Sequence, residues 1–173
     1  MKAERCCALA VVLWLGGVAG AQSGESGRSS QDSGREKLIG AWRLVSMEEP
    51  GADGKLHHIT DRKGMLIYTS DGHMFVQLMF PAEESTVSND YVRNGYEASF
   101  GSYEVDEKRQ TVTHHVEGSI TRGLVGKDMP RVYEFSGGEF SGGEFSGGAF
   151  SGGHLILKSA RADEHWSVTW EHY

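Results

Sequence analysis

The chain has 173 residues, a formal net charge of −7 and 38% hydrophobic residues, which is enough apolar content for one core and too little length for a second globular unit. An acidic balance without a Lys/Arg cluster excludes nucleic acid and anionic membrane surfaces as natural partners. Both cysteines, Cys6 and Cys7, lie at the N-terminal end.

Residues 1–21 read as a secretion signal: Lys2 and Arg5 give a basic start, an apolar run follows to Val18, and Ala19-Gly20-Ala21 offers small residues for cleavage. The run is shorter than the roughly 20 apolar residues that span a bilayer. No cysteine stands at the cleavage point for lipid attachment. The expectation is therefore an exported product, periplasmic or secreted, with no stable membrane anchor. It would carry no thiol for disulfide, metal or nucleophilic chemistry and one further net negative charge. Residues 22–36 follow as a disordered linker, rich in Ser, Gly and charge, too polar to offset the entropy of ordering.

From residue 37 to 173 the pattern predicts one all-β domain. Strand-like stretches fall at residues 40–47, 64–69, 73–80, 99–105, 111–117, 131–135, 154–158 and 166–171, with turn-forming residues at nearly all the joints. Eight sequential strands predict an antiparallel up-and-down meander that removes its edges by closing into a barrel, with an open two-sheet sandwich as the alternative. Residues 81–98 interrupt the meander and are expected to form a short helical flap over one mouth.

Period-two alternation assigns faces. On residues 111–117, Val112, His114 and Val116 share the inward face, so His114 is either a ligand-orienting or proton-moving histidine or a hydrogen-bonded core residue. A tight turn at Asp71-Gly72 would align Tyr68 with Phe75 and Leu66 with Gln77. A ligand pocket joins apolar walls to a few polar groups, which favours the Tyr68 and Gln77 face as the lining. On the last strand Trp166, Val168 and Trp170 point inward, as pocket or as core. With Tyr103, the expected ligand-binding set is Tyr68, Gln77, Tyr103, His114, Trp166 and Trp170. The histidine pairs His57-His58 and His114-His115 diverge on strands and no HxH or HExxH spacing occurs, so no metal site or cofactor is expected.

Residues 134–153 read EFSGG, EFSGG, EFSGG, AFSGG, with Phe135, Phe140, Phe145 and Phe150 at a period of five. An odd period sends successive phenylalanines to opposite faces and each Gly-Gly weakens a strand, so the expectation is an expanded loop between two barrel strands, with under-specified register.

The runs at residues 38–46, 64–74, 100–106, 113–119 and 131–135 together resemble the bacterial and fungal lipocalin-like domain family. Gly40-Ala41-Trp42 also resembles the first-strand GxW signature of lipocalins, whose tryptophan is covered by a basic residue near the last strand. Here that strand ends Trp170-Glu171-His172 without an arginine, so the covering residue is either missing or replaced by Arg161, Arg43 or His172. The resemblance implies a closed barrel with a central cavity and says little about activity. Three functions follow as expectations: a binder of a small hydrophobic molecule, an isomerase or cyclase of an apolar metabolite using His114 or Tyr68, and an interaction protein working through its Phe/Gly arm.

Overall fold

The computed structural model describes residues 33–143 and 146–173; the signal-like segment and most of the expected linker lie outside them. The chain runs through a short helix α1 (Gly34–Leu38) and strands β1 (Gly40–Pro50), β2 (Leu56–Ile59), β3 (Lys63–Tyr68), β4 (His73–Met79), β5 (Tyr96–Asp106), β6 (Thr111–Ser119), β7 (Asp128–Gly143), β8 (Ser146–Ser159) and β9 (Ser167–His172). Successive strands from β3 to β9 pair antiparallel, and β9 returns to pair with β1, closing the sheet. Met47 and Glu48 of β1 pair with β9 on one side and with β2 on the other. β3 continues that second side at Gly40 to Arg43. The short strand β2, absent from the sequence-based expectation, and β3 are thus one interrupted staple of an eight-stranded antiparallel barrel. No helix among the described residues is long and apolar enough to cross a membrane.

α1 begins inside the range expected to be linker. Its start is fixed by a reciprocal cap in which the Ser33 hydroxyl accepts from the Glu36 backbone N–H and the Glu36 carboxylate accepts from the Ser33 backbone N–H. Its last residue, Leu38, is fully buried, and the Leu38 carbonyl accepts the Trp42 indole N–H at 2.8 Å. The His172 ring meets Trp42 edge-on, centroids 4.9 Å apart. Of the three candidates, His172 therefore covers the tryptophan, and α1, Trp42 and His172 seal one end.

Two bulges set which side chains point in. In the β1–β9 pairing Leu44 faces Trp170 while Ser46 faces Thr169, so Val45 is extra. The inward set passes from Trp42 and Leu44 to Met47 and Glu49, both of which line the cavity described below. A second bulge places Gly101 opposite Val116 after Phe100 opposite Gly118. Gly101 is required there, because a Cβ would lie 2.0 Å from the His115 carbonyl oxygen.

The turn between β3 and β4 corrects the expected register. Thr69 N–H bonds to the His73 carbonyl and Gly72, at φ +94°, supplies the left-handed residue of a three-residue turn. Tyr68 then faces Met74 and Leu66 faces Val76. One residue of slip exchanges the two faces of β4. Met74, Val76 and Leu78 are buried, and Gln77 is exposed on the outside.

The pentapeptide segment also differs from expectation. Its backbone continues β7 to Gly143 and resumes in β8 at Ser146, with Phe135 opposite Leu155 and Phe140 opposite Phe150 in one register as far as Ser141, after which the register shifts. Within it Phe140 stands opposite Phe150 and Gly137 opposite Gly153, so a glycine of one strand meets a glycine of the other. Slipping by one five-residue copy would turn Leu155 and Leu157, both buried, to the outside. The barrel portion therefore fixes a register that the repeats alone leave open.

Candidate functional site

Between the Trp42 end and the opposite mouth lies a cavity of about 110 Å³. Its walls are Leu66, Val76, Leu78, Leu157 and Val168, with Met47 and Val116. Into this apolar lining project His114 from β6, Glu97 and Ser99 from β5, Arg131 from β7, Glu49 from β1, and Trp166 and Trp170 from the last strand and its approach.

His114 is 5% exposed, and its Nε2 lies 2.6 Å from the hydroxyl of Tyr68, which is 1% exposed. Burial holds the His114 imidazole well below its ordinary value, with the Arg131 and His115 charges acting in the same direction. Burial pushes the Tyr68 phenol far up. The pair is therefore neutral. Tyr68 has one proton to give and no other acceptor among the described residues, so the phenol donates to Nε2 and the imidazole carries its own proton on Nδ1. That N–H has no partner among the described residues.

Glu97 makes no hydrogen bond among the described residues. Burial raises its carboxyl to about 7 against the pull of Arg131 and Arg62, with Glu49 adding to the rise. Arg131 lies with its guanidinium carbon 5.0 Å from the Trp166 ring centre and donates to the Pro130 carbonyl. It forms no ion pair among the described residues. The Trp170 indole N–H is buried and also unpartnered.

The mouth is tied down by two polar clasps. Arg62, in the break between β2 and β3, donates to Glu49 at 2.7 Å and to Glu84 at 3.1 Å while lying 3.8 Å over the Phe80 ring. Glu84 belongs to the 3-10 turn Ala82–Glu84, so this clasp holds the flap expected over residues 81–98. On the far side Tyr91 donates to Glu164, which also accepts from Ser159 and the Trp166 indole.

Of the six residues singled out from sequence, His114, Trp166 and Trp170 line the cavity. Tyr68 stands directly behind His114. Tyr103 lies one layer deeper, its ring 4.8 Å from Tyr68 and its hydroxyl donating to the Thr69 carbonyl. Gln77 is outside the barrel and joins none of them. Sequence reasoning missed Glu97, Arg131, Arg62 and Glu49. For two of these a signal existed: Glu97 shares parity with Ser99 and Tyr103, and Arg131 with Tyr133. Among the described residues no three His, Cys, Asp or Glu side chains cluster as a metal site.

A closed antiparallel barrel with a mostly apolar interior cavity and a few inward polar groups defines a lipocalin-like class of protein, whose general business is ligand binding. The chain matches the lipocalin-like domain family over residues 39–171 and belongs to it. No curated protein matches the chain.

Proposed function

We propose that the protein is exported and encloses a small, largely apolar molecule in the barrel cavity. The observation that carries this reading is the cavity itself: aliphatic walls around His114, Glu97 and Arg131, whose polar atoms are not used up by the fold. Burial of apolar ligand surface would supply roughly 25 cal/mol per Å², and the polar groups would fix orientation. Size narrows the candidates. A cavity of roughly 150 Å³ accepts benzene, so about 110 Å³ suits a molecule of similar or smaller bulk while both clasps are shut. Long acyl chains and retinoids would require the flap to open.

The test is a thermal-shift panel of small apolar compounds against the domain from residue 33, with His114→Ala in parallel. Selective stabilisation that the variant loses supports the reading; a flat response across the panel refutes it. Export is tested by expressing the full chain in a secreting host and sequencing the product's N-terminus, which the reading places at Gln22.

A second reading, proton-transfer catalysis on an apolar metabolite, is favoured by one observation: Glu97, its carboxyl raised to about 7, lines the same cavity as the buried, neutral His114. It predicts turnover abolished by Glu97→Gln with the fold intact.

A further inference from the structure

We infer that the cavity selects a small carboxylate, an apolar body bearing one anionic head, over neutral and cationic molecules of the same shape, with Arg131, His114 and Trp170 as its donors. This rests on the binding reading above and assigns the chemistry of the ligand's polar end.

The donors outnumber the acceptors. Arg131 has no carboxylate within ion-pairing distance among the described residues. The arginine of the mouth clasp is already ion-paired: Arg62 reaches Glu49 and Glu84. Arg131, by contrast, has only the neighbouring Pro130 carbonyl and the Trp166 face. A guanidinium in an apolar wall is stabilised by an anion that it can grip with two parallel N–H bonds.

The hydrogen-bond arrangement around Tyr68 adds a second donor. Because the phenol proton is committed to His114 Nε2 at 2.6 Å, the face of the imidazole left over presents N–H rather than a lone pair. The third donor is the Trp170 N–H, which is buried in a residue 2% exposed and has no acceptor. An indole N–H can only donate, so nothing but an acceptor relieves it.

Two carboxyls of the lining argue for a cation, and one of them, Glu49, is already paired with Arg62; the other is Glu97. Its surroundings decide against that: it is desolvated, it faces Arg131 from β7 and Arg62 from the strand break, and Glu49 from β1 opposes its ionisation. With its carboxyl raised to about 7, Glu97 is in part protonated near neutrality and in that form can donate toward a ligand carboxylate. An ammonium ligand would have to displace that proton and sit beside Arg131.

The test is an NMR titration of the uniformly ¹⁵N-labelled protein with three probes of matched bulk: isobutyrate, 3-methyl-2-butanone and isobutylamine. Isobutyrate is expected to bind at least about tenfold more tightly than the other two and to move the Trp170 indole resonance. In Arg131→Met its affinity should fall to that of the ketone, while the ketone's is unchanged. If the ketone or the amine binds as tightly as isobutyrate to the parent protein, the carboxylate inference is overturned and the cavity reading stands. If none of the three binds at millimolar concentration, both are overturned. The comparison among probes uses only the parent protein, so it holds even if Arg131→Met fails to fold.

Discussion

Replacing Tyr68 with Phe removes one oxygen from the core and nothing else. The ring is conserved, and with it the edge contacts to Tyr103 and His114 at centroid distances of 4.8 and 5.6 Å. What is lost is the donor to His114 Nε2, in a residue with 5% exposure and no replacement donor nearby. Leaving a buried acceptor unpaired costs about 1–3 kcal/mol, more than the net worth of an ordinary hydrogen bond. Urea unfolding at pH 7.5 should therefore show the midpoint falling with an unchanged slope. His114→Leu should cost less when added to Tyr68→Phe than when made alone, giving a coupling of about 1 kcal/mol. A loss below about 0.5 kcal/mol for Tyr68→Phe, or additive effects in the cycle, would refute the neutral, singly bonded arrangement.

Four further outcomes follow from the same structure. His114, held below its ordinary 6.5, contributes stability that is complete above that pH and lost as pH falls, whereas Glu97, raised from 4.5 to about 7, contributes stability complete below 4.5 and lost as pH rises through 7. The two opposed slopes, each at most about 1.4 kcal/mol per pH unit, overlap just below 6.5; Glu97→Gln should steepen the acid-side loss there, and an unchanged profile by urea melts at pH 5.5 and 6.5 would contradict the assignment. Arg62→Met should cost about 2–3 kcal/mol, below the range for a fully buried pair because its partners are partly exposed, and should speed amide exchange in residues 82–95. Single cysteines in a chain without its signal should report the β4 faces: Gln77→Cys labelled rapidly by a thiol reagent, Leu78→Cys protected. Deleting residues 139–148, two whole copies of the repeat, should leave stability within about 1 kcal/mol, since the pairing of Phe135 with Leu155 and of Tyr133 with Leu157 is kept.

Much of the fold was legible because closure of a meander follows from strand number and alternation, both local properties. His114 could be placed on the inward face from its valine neighbours alone. Gln77 could not be placed correctly: its face depends on whether the turn at Asp71-Gly72 holds two residues or three, and a single residue reverses every side chain on β4. Glu49 was hidden by the Val45 bulge, which no periodicity announces. The odd-period repeat was expected to disfavour a strand, but the segment pairs on from the barrel strands, with Gly137 opposite Gly153 and Phe140 opposite Phe150, and the barrel's own leucines choose the phase. The site's donors emerge only in three dimensions, since an unpartnered N–H such as that of Trp170 is a statement about what surrounds it.

The central claim is that an apolar molecule enters the barrel rather than adhering to its outer wall, where Met65, Met79, Tyr96 and Phe100 are exposed. Intermolecular nuclear Overhauser effects between unlabelled isobutyrate and the ¹³C-labelled protein decide between the two. The account predicts contacts to methyl groups of Leu66, Leu78, Leu157 and Val168, which line the cavity. Contacts confined to Met65, Met79 and the outer-face aromatics, with the cavity methyls silent, would contradict it.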